Sequence, residues 1–289
     1  MTQLDAAKHI ERGPALSTAP GARSGGTALK LTGINKSFPQ RDGGRLEVLR
    51  DIDLSVRSGA IQALLGRSGS GKSTLLNIVS GLTPADTGTV TVDGKDFTGG
   101  TVLPMVGYVF QDDRLMPWRT ARANIAFALE NQPLDSNERA EEVSEMLTLV
   151  GLDGFGAAYP NELSGGMRSR VALARSLVRR PKLLLMDEPF SRLDEETRTA
   201  MHEEIIRLRD LLGMTILFVT HDVEEAAVLA DEVTVLAPRP GRIAETVDIA
   251  AALPQHPPLR DGTDPAVVEI IRQLKCTIAR VSAQSDARS

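Results

Sequence analysis

The chain has 289 residues, 42% of them hydrophobic, which is enough to bury one full core with a lobe attached. Its formal charge of −5 offers no basic excess for nucleic acid, and a single cysteine, Cys276, excludes an internal disulfide and fits a reducing compartment. The four histidines lack metal-site spacing, and the longest apolar runs, around 183–186 and 216–219, are far too short to span a bilayer, so any membrane contact must go through a partner.

Residues 1–27 mix charges with Pro14, Pro20, Gly21, Gly25 and Gly26, hold no long apolar stretch, and are expected to form a disordered extension. Short β-type runs follow at 29–34, 47–49, 52–56, 61–65 and 89–92, separated by turn signals such as Ser58-Gly59 and Asp93-Gly94. They predict a partly antiparallel sheet. Three further apolar runs, at 105–110, 183–186 and 215–219, alternate with helical stretches and predict a parallel α/β core. Between the first two lie helical periodicities at 121–130, 138–150 and 164–179 with little strand character, which predict a helical lobe inserted into the α/β domain. A helix at 223–230, a strand at 232–236, the turn Pro238-Arg239-Pro240-Gly241 and a strand at 242–247 complete the sheet. After Pro254, Pro257 and Pro258, the spacing of Val267, Val268, Ile271, Leu274 and Ile278 predicts a peripheral C-terminal helix over 265–280.

Chemistry concentrates in three places. The first is the run Gly66, Arg67, Ser68, Gly69, Ser70, Gly71, Lys72, Ser73 and Thr74, between the apolar strand 61–65 and a helical pattern. Glycines there let successive backbone N–H groups turn inward around phosphates, Lys72 reaches the outer oxygens, and the Ser73 hydroxyl is placed to ligate Mg²⁺. The ligand predicted is a nucleotide triphosphate. The second is the buried strand 183–186, which ends in Asp187 and Glu188, at the carboxyl end of a parallel sheet where ligands gather. Asp187 is the expected partner of Mg²⁺, and Glu188 is the candidate general base for an attacking water. The third is Ser164, Gly165, Gly166 and Met167, where Ser164 is a good N-cap and the glycines let the backbone approach an anion at a positive helix end.

With the order GRSGSGKST, VFQDD, LSGGM, LLLMDEP, SRLD and VTHD, residues 29–247 resemble the ATP-binding cassette (ABC) transporter ATPase family. The resemblance implies an α/β P-loop NTPase cassette with a mixed sheet core, an antiparallel β subdomain and an inserted α-helical lobe. The cassette would occupy 28–250 with its lobe at about 112–180, leaving 251–289 as loop and helix. Carried over to matching positions, it implies that Gln111 reaches the Mg²⁺ and the water and that His221 contacts the γ-phosphate. It also implies that Asp194 communicates across a dimer and that Phe38 stacks on adenine. Met167 and Ser169 depart from the family, which often has glutamine at both positions. LSGGM followed by Arg168, the segment 111–119 with Trp118, and the turn 238–243 resemble the nitrate, sulfonate and taurine importer branch. Trp118 is there a candidate for shaping the groove that receives a permease. The implied setting is ATP with Mg²⁺, a homodimer or paired cassette, an integral membrane permease and an extracytoplasmic solute-binding protein, at the cytoplasmic face of the inner membrane. An exporter ATPase subunit is one alternative. A soluble cassette acting on nucleic acid or ribosomes is another, and it is opposed by the lack of a tandem cassette, of a coiled-coil or zinc-bearing insertion, and of basic excess.

Overall fold

The computed structural model describes residues 26–41, 43–97, 105–255 and 257–286, so the extension expected over 1–27 lies outside the described residues up to position 25. The chain opens with two long strands, β1 (Thr27–Pro39) and β2 (Arg45–Arg57), then β3 (Ile61–Leu65), helix α1 (Lys72–Val79), β4 (Thr87–Val92) and the short β5 (Lys95–Asp96). Strand β6 (Val106–Val109) leads into three helices, α2 (Ala121–Ala126), α3 (Ser136–Leu149) and α4 (Gly165–Leu177). The second half alternates β7 (Leu183–Asp187), α5 (Glu195–Leu212), β8 (Thr215–Thr220), α6 (Val223–Leu229) and β9 (Glu232–Ala237). It closes with β10 (Arg242–Asp248), α7 (Ile249–Ala252) and α8 (Pro265–Asp286).

Two sheets result. The larger has the order β10-β9-β3-β8-β7-β6, parallel from β9 to β6 with β10 antiparallel at its edge. The smaller is antiparallel, in the order β2-β1-β4-β5. Strands β3 and β8 are buried along their whole length, which explains their unbroken apolar runs: a parallel strand covered on both faces has no solvent side to mark with polar residues.

Alternation along these strands divides the core in two. Ala63, Leu184, Met186, Ile216 and Phe218 face one cluster, shared with the helices α2 to α6. Leu64, Leu183, Leu185, Leu217 and Val219 face the other, shared with Leu75 and Leu76 of α1 and with the antiparallel sheet. Helix α8 buries Val267, Ile270, Ile271 and Leu274 in the first cluster and runs beyond the predicted 265–280.

Differences from the sequence reading have local causes. The runs at 47–49 and 52–56 are one strand, because β1 and β2 pair through register shifts between Leu31 and Ser37 and Asp51 takes φ 47°, which breaks the period-two pattern without ending the ladder. The helix predicted over 121–130 tightens at Phe127 into a 3-10 turn. Helix starts follow their caps: Thr120, Asp135 with a capping box to Glu138, Ser164, Asp194 and Asp222 each accept backbone N–H bonds.

One buried ion pair ties the sheet to α5. Arg209, 2% exposed, places Nη1 3.4 Å from Asp231 Oδ2, which also accepts the Ile61 N–H at 2.8 Å. Removing the cation takes a charge partner from a buried carboxylate at the entry to β9 and leaves a gap where a large buried side chain stood. Arg209→Ala is expected to cost about 3–5 kcal/mol, read as a lower denaturant midpoint at unchanged m-value.

Candidate nucleotide site

The phosphate loop crosses from the C-terminal end of β3 to the first turn of α1, as the sequence predicts for residues 66–74. Gly71 is the N-cap of α1 at φ 88°, and a Cβ there would lie 2.6 Å from Leu49 Cδ2 and 3.1 Å from the Val48 carbonyl. Only glycine fits both the left-handed backbone and the close approach of β2. No side chain caps α1, so the N–H groups of its first turn, next to the loop, are not taken up by a capping side chain. Lys72 is 5% exposed, and its Nζ donates to the carbonyls of Gly66 at 2.7 Å and Arg67 at 3.1 Å. Burial pushes its pKa down while the nearby Glu188 and Asp187 pull it up.

Acidic groups meet this loop from the next strands. Ser73 Oγ donates to Asp187 Oδ1 at 3.0 Å, at the end of β7. Burial raises the Asp187 pKa, opposed by the Ser73 hydrogen bond and reinforced by Glu188. Glu188 follows at φ 45°, a region a non-glycine residue enters at a cost, and its N–H donates to the Val219 carbonyl at 3.0 Å. Its Oε2 accepts from Gln111 Nε2 at 3.1 Å and lies 3.4 Å from His221 Nδ1. Residues following β6, β7 and β8 therefore converge on one carboxylate. Beside them is a small cleft lined by Glu188, Phe190, Ser191, Arg198, Thr220 and His221.

Phe38, near the end of β1, is 38% exposed, with Lys36 Nζ 5.2 Å from its ring centroid. Asp86 fixes that strand end, accepting from Lys36 Nζ at 2.9 Å and from the Ser37 N–H and Oγ at 2.8 Å each. These bonds hold its carboxyl far below the usual carboxylate range. Trp118 is 73% exposed.

The turn of Ser164, Gly165, Gly166 and Met167, which carries the LSGGM signature, is separate. Ser164 Oγ accepts from the Met167 N–H at 3.2 Å, as expected of an N-cap, but among the described residues no hydrogen bond or ion pair joins 164–167 to 66–74. Instead, Gly166 lies against Thr197 of α5, where a Cβ would come within 2.8 Å of Thr197 Cγ2. Thr197 in turn donates its N–H and Oγ1 to Asp194, lowering the aspartate pKa.

Several contributors went unread in the sequence. Tyr108 OH donates to Asn77 Oδ1 at 3.2 Å, its ring stacks on Phe110 at 4.2 Å, and the Arg114 guanidinium sits 3.9 Å from the Phe110 centroid. Burial raises the Tyr108 pKa. The i, i+2 spacing of Tyr108 and Phe110 on a strand was a usable signal; Arg114 gave none. From α4, Arg175 donates to the carbonyls of Asp113 at 2.7 Å and Arg114 at 2.8 Å, while Arg168 Nε reaches Asp113 Oδ2 at 3.2 Å. The helix that begins at the signature turn thus grips the segment that follows Gln111.

A glycine-rich loop between a buried parallel strand and a helix, faced by a Ser–Asp contact and a second carboxylate at the next strand ends, defines a P-loop nucleoside triphosphatase. The family model for ABC transporters matches residues 49–191. The nitrate import ATP-binding protein NrtD of Synechocystis sp. is 45% identical over 221 residues, 76% of this chain and 82% of that protein. The taurine import ATP-binding protein TauB of Pseudomonas putida is 42% identical over the same shares of each chain. A solved dimeric ATP-binding cassette in a post-hydrolysis state, bound to ADP and Pi, aligns with TM-score 0.67 and 28% identity over 76% of this chain and 98% of that one. The chain belongs to the ABC transporter family, among its ATP-binding proteins.

Because the folded chain holds the Asp187 pKa above its unfolded value, stability associated with the protonated carboxyl is present at low pH and lost as pH rises through the folded pKa. Asp187→Asn is therefore expected to raise the melting temperature of the nucleotide-free chain at neutral pH. The gain should shrink as the pH is lowered toward about 4, in a series of thermal melts.

Proposed function

We propose that this chain is the ATP-hydrolysing subunit of an import system, working as a pair of cassettes beneath a membrane permease. The observation that carries the reading is the convergence of Lys72, Ser73, Asp187, Glu188, Gln111 and His221 at one edge of the parallel sheet. ATP occupies the loop of residues 66–74, and Lys72 exchanges its bonds to the Gly66 and Arg67 carbonyls for phosphate oxygens. Phe38 offers its open ring face to adenine.

The donor set fits Mg²⁺: the Ser73 hydroxyl, the Asp187 carboxylate and the Gln111 amide supply hard oxygens, and such a site needs few protein carboxylates because phosphates and water complete it. When bound, Mg²⁺ neutralises charge on the phosphate oxygens. Glu188 accepts the proton of the attacking water as general base. Gln111 and His221 orient its Oε2 from either side, and His221 donates toward the γ-phosphate.

Since Ser164, Gly165, Gly166 and Met167 do not meet the phosphate loop of their own chain, they clamp the nucleotide of a second copy, with Asp194 beside them carrying the state of one site to the other. Nucleotide contacts that differ between closed and open pairs then shift the population, and the permease follows. Among the described residues no helix is long and apolar enough to cross a membrane, which suits a peripheral subunit held at the cytoplasmic face of the inner membrane by that permease. An extracytoplasmic solute-binding protein completes the system. The names of the relatives support nitrate, a sulfonate, taurine or a similar small solute as cargo.

Glu188→Gln is expected to lower kcat by about 100-fold or more with ATP affinity retained, and to form a dimer with MgATP on size exclusion. Lys72→Ala should weaken both binding and turnover. Phosphate release and a nucleotide titration check both variants, and near-normal turnover by Glu188→Gln would reject the base assignment.

A further inference from the structure

The Pro-Gly turn between β9 and β10 is built against the phosphate loop from outside. On its near side, the carbonyl of Leu236 in β9 lies 2.8 Å from where a Cβ on Gly66 would stand. At its far end, Gly241 packs so tightly that a Cβ would lie 2.3 Å from the Ser70 carbonyl oxygen, 3.0 Å from the Val48 carbonyl and 3.0 Å from Leu49 Cδ2. Gly241 itself is bound into β2: its N–H donates to Val48 at 2.8 Å, and its carbonyl accepts from the Arg50 N–H at 2.9 Å. The same Val48 and Leu49 limit the space at Gly71, the N-cap of α1. The turn and the loop therefore meet backbone to backbone at Gly241 and Ser70, with the Val48 carbonyl and the Leu49 side chain of β2 packed against them.

We propose that Gly241 is a positioning residue for the phosphate loop, setting from outside the nucleotide site how residues 70–73 present their N–H groups. Gly241 needs no left-handed backbone, so the demand is for space alone. An added methyl group cannot be absorbed by a flexible side chain, because its nearest neighbour is the Ser70 carbonyl and the turn is held on its other side by two hydrogen bonds to β2. The part that yields is the Ser70–Gly71 peptide: among the described residues its carbonyl accepts no backbone hydrogen bond, and the preceding peptide is tied by the Ser70 N–H to the Arg67 carbonyl at 3.2 Å. Rotating that peptide re-aims the first turn of α1, and phosphate binding at a helix N-terminus depends on that aim. The proposal rests on the reading of residues 66–74 as the nucleotide site.

The test compares Gly241→Ala with Gly107→Ala, a similarly crowded glycine on β6 whose Cβ would lie 2.7 Å from the Ser176 carbonyl, remote from the loop. ATP affinity, KM, kcat and melting temperature are measured for the full chain. Gly241→Ala is expected to raise the ATP Kd and KM about tenfold with kcat changed less than about threefold, whereas Gly107→Ala lowers the melting temperature and leaves Kd within about twofold. A Gly241→Ala Kd within about twofold of the parent, or an equal rise in Gly107→Ala, overturns the proposal. Should Gly241→Ala fail to fold, amide exchange in the parent chain decides: ATP slows exchange at Gly241 and Arg50 if the turn and loop are coupled, and unchanged exchange overturns the coupling. Lys72→Ala in the same titration separates the two claims. If it binds ATP normally, the nucleotide-site reading fails; if it loses binding while Gly241→Ala does not, only the positioning role fails.

Discussion

The parallel register of β3, β8, β7 and β6 is the constraint on which the rest depends. Leu65 of β3 lies opposite Thr220 of β8, Val219 of β8 opposite Asp187 of β7, and Met186 of β7 opposite Val109 of β6. All four strands therefore end at the same edge, and the residue or two that follow each of them are neighbours in space although they are far apart in the chain. The Ser73–Asp187 and Gln111–Glu188 bonds are consequences of that alignment. A slip of one residue in β7 would exchange its two buried faces between the clusters and move both carboxylates away from their partners.

Holding charge at that edge is costly, and the structure shows where the strain sits. Lys72 and Asp187 are each pushed by burial toward their neutral forms, and each is pulled back by the other's charge. Glu188 adds a second negative charge from a left-handed backbone position fixed by its N–H bond to Val219. Arg114 also lies close enough to draw the Asp187 pKa down, so the two carboxylates face two cations across this edge.

The antiparallel sheet serves the site by abutment. Strand β2 brings Val48 and Leu49 against both Gly71 and Gly241, while β1 carries Phe38 at an end pinned by Asp86. On the opposite side, α4 links two regions of separate function: its first turn is the signature, and its Arg168 and Arg175 hold the segment after Gln111. These linkages are made by close backbone approach and by arginines reaching a carboxylate and two carbonyls, contacts that leave no periodic trace in a sequence.

What the sequence determined by itself was the chemistry and its local frames. The apolar runs 61–65 and 183–186 announced buried strands, the glycine-lysine-serine loop announced phosphate, and the caps Ser164 and Asp194 announced helix starts, because each depends on residues close together in the chain. The continuity of β2 through Asp51 was hidden, since a bulged ladder breaks alternation while its pairing persists. Only the tertiary structure decided that Gln111 and His221 meet at one oxygen of Glu188, that the signature turn lies against Thr197 and away from its own phosphate loop, and that Gly241 bears on Ser70. Those meetings are set by strand order, register and packing distance, and residues brought together across long stretches of chain carry no mark of one another in the sequence.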